Sequence, residues 1–138
     1  MTSKLQVDNL EGRTTKGSIT VTGESNGAST NLQQGLIKAW CNYDGDNNSI
    51  SDNFNVGSIT EVSHGLHQFG FTNVMSNVNY SCTGNAGSSG FHNCTTKSNA
   101  GGTQGASSVV IRVSQNNSST AENDSDPQTS FQVAGDLA

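Results

Sequence analysis

The chain has 138 residues, carries a formal net charge of -5, and is rich in Ser, Thr, Asn and Gly, which together make up 67 positions. Its length favours one domain, or one domain with a short appendage. The acidic balance and the lack of Lys/Arg clusters argue against nucleic-acid binding through phosphate neutralisation. No apolar run approaches the roughly 20 residues that cross a bilayer, so membrane insertion is not expected.

The apolar content is low, because Leu, Ile, Val and Phe contribute only 26 residues. Disorder would also require a high net charge, and only 12 % of the residues are charged. The apolar residues lie in short alternating runs, which predict a folded chain with a thin core. Few residues are strong helix formers, and the first residues lack the apolar stretch of a secretory signal.

Residues 1–34 differ from the rest of the chain. Alternation at Leu5 and Val7, and again at Ile19 and Val21, predicts half-buried strands. So few apolar side chains cannot enclose a core, and an isolated hairpin is marginal in water. We therefore expect this segment to attach to a partner surface, which is either the rest of the chain or other subunits. The apolar residues expected to serve attachment or oligomerisation are Leu5, Val7, Leu10, Ile19, Val21 and Leu32.

Residues 35–138 read as a β domain. The most apolar run, residues 36–43, ends at the turn dipeptide Asp44-Gly45. His64-Gly65 separates two strand-like stretches and predicts a hairpin. Val78, Tyr80 and Cys82 are expected to share one face of the next strand.

Long polar stretches alternate with two clear strands in the second half of the domain. Residues 83–107 and 115–128 are predicted as loops, whereas residues 107–114 and 130–134 are predicted as strands. Short strands at these spacings favour an all-β fold, an antiparallel β-sandwich or a jelly roll.

Metal and cofactor sites are not predicted. His64, His67 and His92 match no closed set of zinc ligands, so they read as ordinary histidines. Residues 44–48, with Asp52 beyond, are rich in oxygen ligands but lack the Gly and Glu positions of a calcium loop, which favours a solvated turn.

Three cysteines cannot form a complete set of disulfides within one chain, so Cys41, Cys82 and Cys94 read as reduced thiols. A bridge between Cys82 and Cys94 stays open.

The aromatic residues suggest where a ligand would bind. The only tryptophan, Trp40, lies in the most apolar run and is therefore expected in the core. Candidates for an exposed surface that stacks on carbohydrate are Tyr43, Tyr80, Phe91 and His92. Periodicity alone does not fix which of these rings faces outward.

Four motifs carry a resemblance to a known family. They are residues 38–45 (KAWCNYDG), 50–60 (ISDNFNVGSIT), 68–72 (QFGFT) and the pair Asn79-Tyr80. Together they resemble a domain common at the C-terminal ends of tail-fibre-like phage virion proteins, which reads approximately KAWVNFDG and DSFNVSSIT. Cys41 stands where that family usually has Val, and Gly57 where it has Ser.

The beginning of the chain, residues 4–10 and 17–24, is similar to the leader of small fibre proteins of marine phages. The resemblance covers most of the chain and is weakest over residues 83–128. It implies a homotrimeric fibre or knob located in the virion. No established catalytic residues carry over to this chain. The implied partners are other copies of the chain, other virion proteins, and a host-surface glycan or protein.

The sequence suggests two alternative functions. A capsid decoration, head-fibre or vertex protein would use residues 1–34 to bind the shell, and the short chain favours it over a full tail fibre. A glycan depolymerase would need paired carboxylates in a cleft, but the acidic residues cluster in turn-like stretches. The sequence therefore predicts a non-enzymatic virion protein with an extended N-terminal β segment and a β-sandwich knob.

Overall fold

The structure is a computed structural model that describes residues 4–13, 19–22, 29–86, 92–96, 104–115 and 128–137. The chain divides into two compact units, Met1–Gly35 and Leu36–Ala138, and each is described by itself. Within the described ranges, no helix has both the length and the apolar character needed to cross a membrane.

The first unit contains one small hairpin. Strand β1 (Thr20–Thr22) pairs antiparallel with β2 (Ser29–Asn31), and a single helical turn, α1 (Leu32–Gly35), follows. The predicted strand around Ile19 and Val21 is thereby confirmed, but the half burial expected for it is wrong, since all three residues of β1 are exposed. The predicted strand at Leu5 and Val7 is wrong, because residues 4–13 pair with none of the described strands and so lack the ladder that a strand requires.

The second unit consists of two four-stranded antiparallel sheets, ordered β4-β3-β10-β7 and β5-β6-β9-β8. The strands are β3 (Ile37–Asp44), β4 (Ser49–Phe54), β5 (Val56–Ser63), β6 (Leu66–Phe71), β7 (Ser81–Ala86), β8 (His92–Thr96), β9 (Ser108–Gln115) and β10 (Thr129–Ala134). The prediction of an all-β antiparallel fold is confirmed, whereas a jelly roll stays a prediction.

Aromatic side chains join the two sheets across the core. The Phe69 ring on β6 lies 4.7 Å from the Tyr43 ring on β3 and 4.7 Å from the Phe131 ring on β10, measured between centroids. Because β6 belongs to one sheet and β3 and β10 to the other, the sheets pack face to face in a sandwich-like arrangement. The apolar core consists of Ala39, Cys41, Tyr43, Val56, Phe69, Phe71, Met75, Tyr80, Val109, Ile111, Phe131 and Val133.

Two turns follow the sequence signals closely. His64-Gly65 joins β5 to β6, which confirms the predicted hairpin, and Gly65 has φ 70°. This left-handed backbone favours glycine, which has no Cβ to clash. The solvated turn after Asp44 is also confirmed, since its carboxylate accepts the backbone N–H of Asn47 at 3.1 Å and the amide Nδ2 at 2.8 Å. These hydrogen bonds, led by that from the Asn47 side chain, lower the pKa of Asp44.

Asn55 secures the corner between β4 and β5. Its φ is 60°, a left-handed conformation that Asn tolerates better than most residues. Its Nδ2 donates to the carbonyl oxygens of Lys38 and Asn73, each at 3.0 Å, and its Oδ1 accepts the backbone N–H of Asn73 at 2.6 Å. One side chain therefore ties this corner to two other segments of the unit.

Tyr80 secures a second corner, just before β7. Its hydroxyl is within hydrogen-bond distance of the carbonyl oxygens of Gly105 (3.0 Å) and Ser108 (3.1 Å). The Gln104 amide donates in return to the Tyr80 carbonyl at 2.7 Å. Burial, with a smaller contribution from Cys82, raises the pKa of the Tyr80 phenol.

The segment between β6 and β9 corrects two predictions. Val78 does not share the buried face of Tyr80, because β7 begins only at Ser81 and the Val78 side chain is exposed. The stretch predicted as a loop over residues 83–107 contains most of β7 and all of β8, whose backbones pair with β10 and β9. The predicted loop over residues 115–128 lies largely outside the described residues.

The three cysteines are reduced and form no disulfide, with Cys41 buried and Cys82 and Cys94 partly buried. Cys82 and Cys94 line one depression of about 350 Å³ beside Gly84. Burial raises the pKa of Cys41 to about 12, with a smaller contribution from the Asp52 charge, and raises the pKa of Cys82 to about 11. Both values lie above the ordinary thiol pKa of 9.0.

These shifts predict a loss of stability at alkaline pH. The unfolded chain ionises its thiols near pH 9, whereas the folded chain keeps Cys41 neutral up to about pH 12. Stability is therefore fully present below pH 9 and falls as the pH rises above it. Urea unfolding at pH 7, 9 and 10.5 measures the effect.

Cys41→Val is the matched variant for this measurement, since it keeps an apolar side chain of similar volume and cannot ionise. At pH 7 we expect a change within about 1.5 kcal/mol, the cost of a volume-conserving core substitution. Above pH 9 the variant should lose less stability than the parent. An equal loss in both proteins would show that Cys41 does not contribute to the alkaline effect.

Candidate functional site

The candidate site lies on the side of the sheet β4-β3-β10-β7 that faces away from the core. The alternation of side chains along β3 determines which residues point to this side. Ala39, Cys41 and Tyr43 point into the core and are buried. Trp40 is partly exposed and Asn42 is exposed, since successive strand residues point to opposite sides of a sheet. The two side chains therefore lie on the side away from the core.

The strand register extends this side into two rows, which we call the outer face. The first row crosses the sheet through Phe54, Trp40, Gln132 and Thr83. The second row crosses it through Asp52, Asn42, Ser130 and Asn85. With neighbouring strands about 4.8 Å apart, each row extends roughly 14 Å across the four strands.

Two shallow depressions lie over the part of the outer face that β3, β10 and β7 contribute. One, of about 440 Å³, is lined by members of both rows, among them Trp40 and Gln132. The other, of about 420 Å³, is lined mainly by members of the second row and by Ser51 and Gln128. They share Asn42, Asn85 and Ser130, so they form one continuous trough. Each volume falls within the range of small-molecule sites.

The outer face combines aromatic, amide and hydroxyl groups. Phe54 is 52 % exposed and lies directly opposite Trp40 on the neighbouring strand. The amides of Asn42, Asn85 and Gln132 each offer two donors and an acceptor. Among the eight residues of the outer face, Asp52 is the one charged side chain. The chemistry suits a neutral ligand with many hydroxyl groups.

The structure does not bring the predicted ligand-binding rings together on the surface. Tyr43 is 1 % exposed and Tyr80 is 7 % exposed, so the exposure expected for these two rings is wrong. Both belong to the apolar core, where Tyr43 packs on Phe69 and Tyr80 packs edge-on against Phe71. Phe91 and the side chain of His92 lie outside what the structure describes.

The prediction for Trp40 is also wrong. This residue was expected in the core, but it lies on the outer face. The sequence did contain a signal for this placement. Trp40 alternates in phase with the polar Asn42, whereas Cys41 and Tyr43 share the other phase. The phase that holds an exposed asparagine is the one that faces solvent.

Within the described residues, the histidines do not form a second candidate site. His64 lies exposed at its turn, whereas His67 is 1 % exposed and packs near Tyr43, with ring centroids 5.5 Å apart. The part of the chain that the structure describes holds no group of three His, Cys, Asp or Glu side chains suited to a metal ion.

The residues predicted for attachment leave much apolar surface uncovered in the first unit. Leu5 is 78 % exposed, and three others are more than half exposed. Ile19 and Leu32 are partly buried. The three that accompany Leu5 are Val7, Leu10 and Val21.

Comparison of the chain with models of protein families, with curated proteins and with solved structures found no match in any of the three.

Proposed function

We propose that the chain is a non-enzymatic phage virion protein, a homotrimeric tail-fibre-like protein. Residues 1–34 attach or intertwine, and the sandwich-like β domain adheres to the host surface. The observation that carries the proposal is the exposure of Leu5, Val7, Leu10 and Val21 in a single copy. Large apolar side chains grouped in one short segment mark an interaction surface. Closed rotational symmetry is the common way for identical chains to cover one another.

The motif resemblance supports the same proposal, since it is a resemblance to trimeric fibre proteins. A trimer also presents three copies of the outer face, which multiplies weak contacts through avidity. In this proposal the β domain supplies the recognition surface and the first unit supplies assembly.

The same exposed residues favour a second candidate, a capsid decoration or head-fibre protein. In that case the capsid shell would cover Leu5, Val7 and Leu10, and the β domain would project outward. The two candidates differ in the position of the protein on the particle. Electron microscopy of intact particles labelled at the C-terminus separates them, since the label would lie on the tail for the first and on the shell for the second.

Native mass spectrometry of the full chain at micromolar concentration tests the assembly. We expect a species with three times the 14.3 kDa chain mass. The triple variant Leu5→Ser/Val7→Ser/Leu10→Ser should shift it towards monomer, because it removes the apolar surface that the subunits would share.

The matched control changes three exposed valines of the second unit instead, as Val62→Ser/Val74→Ser/Val78→Ser. It should leave the trimer intact. A wild-type protein that is monomeric at this concentration would remove the support for a shared stalk. Equal dissociation by both triple variants would show that residues 5–10 are not the contact.

A further inference from the structure

We infer that the outer face binds a neutral oligosaccharide, with Trp40 as its stacking platform. The inference deepens the proposed adhesion function and rests on it, by naming the class of host-surface molecule.

The aromatic end of the outer face provides a surface for a sugar ring. Trp40 and Phe54 are cross-strand neighbours, so their side chains lie side by side at one end of the first row. The face of an aromatic ring is partially negative, and the C–H groups on the apolar side of a pyranose are partially positive. A sugar that stacks on Trp40 therefore gains both apolar burial and electrostatic attraction.

The rest of the outer face matches the hydroxyl groups of a sugar. Gln132 and Thr83 continue the row that begins at the aromatic pair, and Asn42, Ser130 and Asn85 run beside them. Amides and hydroxyls both donate and accept, as sugar hydroxyls do. Cross-strand spacing places a polar group at each step of about 4.8 Å from the aromatic end.

The charge of the outer face selects against anionic saccharides. Its eight residues include no Lys or Arg, and Asp52 would repel a sulfate or carboxylate. A nucleic acid or an acidic peptide is disfavoured for the same reason. The trough spans both rows, which suits an oligosaccharide lying across the strands.

The full chain carries its own reporter for this binding, because Trp40 is its only tryptophan. The experiment uses neutral oligosaccharides built from glucose, galactose, mannose or N-acetylglucosamine, with sulfated and sialylated saccharides as the charged arm. We expect at least one neutral probe to change the Trp40 fluorescence saturably. Calorimetry with that probe then supplies the affinity.

Trp40→Ala should weaken binding of that probe about tenfold or more, as is usual for a tryptophan that anchors a ligand. Trp40→Phe, which keeps a ring, should weaken it less. Thr83→Ala on the outer face should reduce the affinity, whereas Thr60→Ala, an exposed threonine on the other sheet, should not. Circular dichroism of each variant must match the parent.

Several results would overturn the inference. They are binding of charged saccharides alone, saturable binding to none of the probes, an affinity unchanged by Trp40→Ala, or a change of oligomeric mass in Trp40→Ala. The last would make the outer face a contact between copies of the chain. A trimer that binds no neutral probe would overturn this inference and leave the assembly proposal standing. A monomeric protein that binds a neutral probe would overturn the assembly proposal and leave this inference standing.

Discussion

Phe69→Ala should lower the free energy of unfolding by about 3–5 kcal/mol, the range for truncating a buried phenylalanine. Phe69 is fully buried, and its ring packs between those of Tyr43 and Phe131. The substitution removes apolar burial and leaves a cavity at the point where the two sheets meet. It also removes the ring contacts with Tyr43, Phe131 and His67. Urea unfolding at pH 7 measures the loss.

Phe54→Ala is the matched control, since it deletes the same side chain from the exposed end of β4. We expect it to cost less than about 1 kcal/mol, the upper value of a cross-strand pair with Trp40. If the two variants lost similar stability, the Phe69 ring would not be the contact that holds the sheets together. The comparison separates burial from residue type.

Asn55→Ala should lower the free energy of unfolding by about 2–3 kcal/mol, because it removes three hydrogen bonds and puts alanine, which tolerates a left-handed conformation less well than asparagine, at φ 60°. The hydrogen bonds join the β4–β5 corner to Lys38 and Asn73. Urea unfolding again provides the measurement.

Two further variants at this position divide the effect into its causes. Asn55→Gly loses the same hydrogen bonds but tolerates a φ of 60°, so it should be about 1 kcal/mol more stable than Asn55→Ala. Asn55→Asp keeps the acceptor for the Asn73 N–H but loses the Nδ2 donor, and should fall between parent and alanine. Equal stability of the alanine and parent proteins would contradict the role given to this side chain.

Two residues of the four sequence motifs hold corners of the β domain. Asn55 links β4 and β5 to neighbouring segments, and Tyr80 links the start of β7 to Gly105 and Ser108. Trp40 belongs to the same set of motifs but lies on the outer face. The motifs therefore combine scaffold residues with a residue of the proposed sugar site. Only the contacts in the structure distinguish the scaffold residues from the site residue.

Local signals were enough to predict several elements. The hairpin at His64-Gly65 follows from a turn dipeptide between alternating stretches, and β9 and β10 follow from alternation of branched and aromatic residues. The strand predicted at Val78, Tyr80 and Cys82 starts too early for β7, and β8 was missed, because the sequences of both strands are polar and their apolar contacts few. Their pairing with β10 and β9 comes from the backbone, which carries no residue signature.

The candidate site could be predicted only in part. From the sequence, aromatic residues were predicted to form the ligand surface. Two of the predicted rings, Tyr43 and Tyr80, are instead buried in the core. It assigned Trp40 to the core on the strength of its apolar neighbours. Alternation separates Trp40 from Tyr43, yet apolar character on both sides of β3 leaves the choice of buried side open.

By itself, the sequence determined that the protein is built from antiparallel strands and where its tight turns lie, because alternation and turn chemistry act over a few neighbouring residues. It also distinguished the first segment from the β domain by its lower apolar content. Only the tertiary structure decided which side of β3 faces the core, since that depends on the second sheet. Pairing of β10 with β3 and β7, which are distant in the chain, likewise assembles the outer face from residues that no local pattern connects.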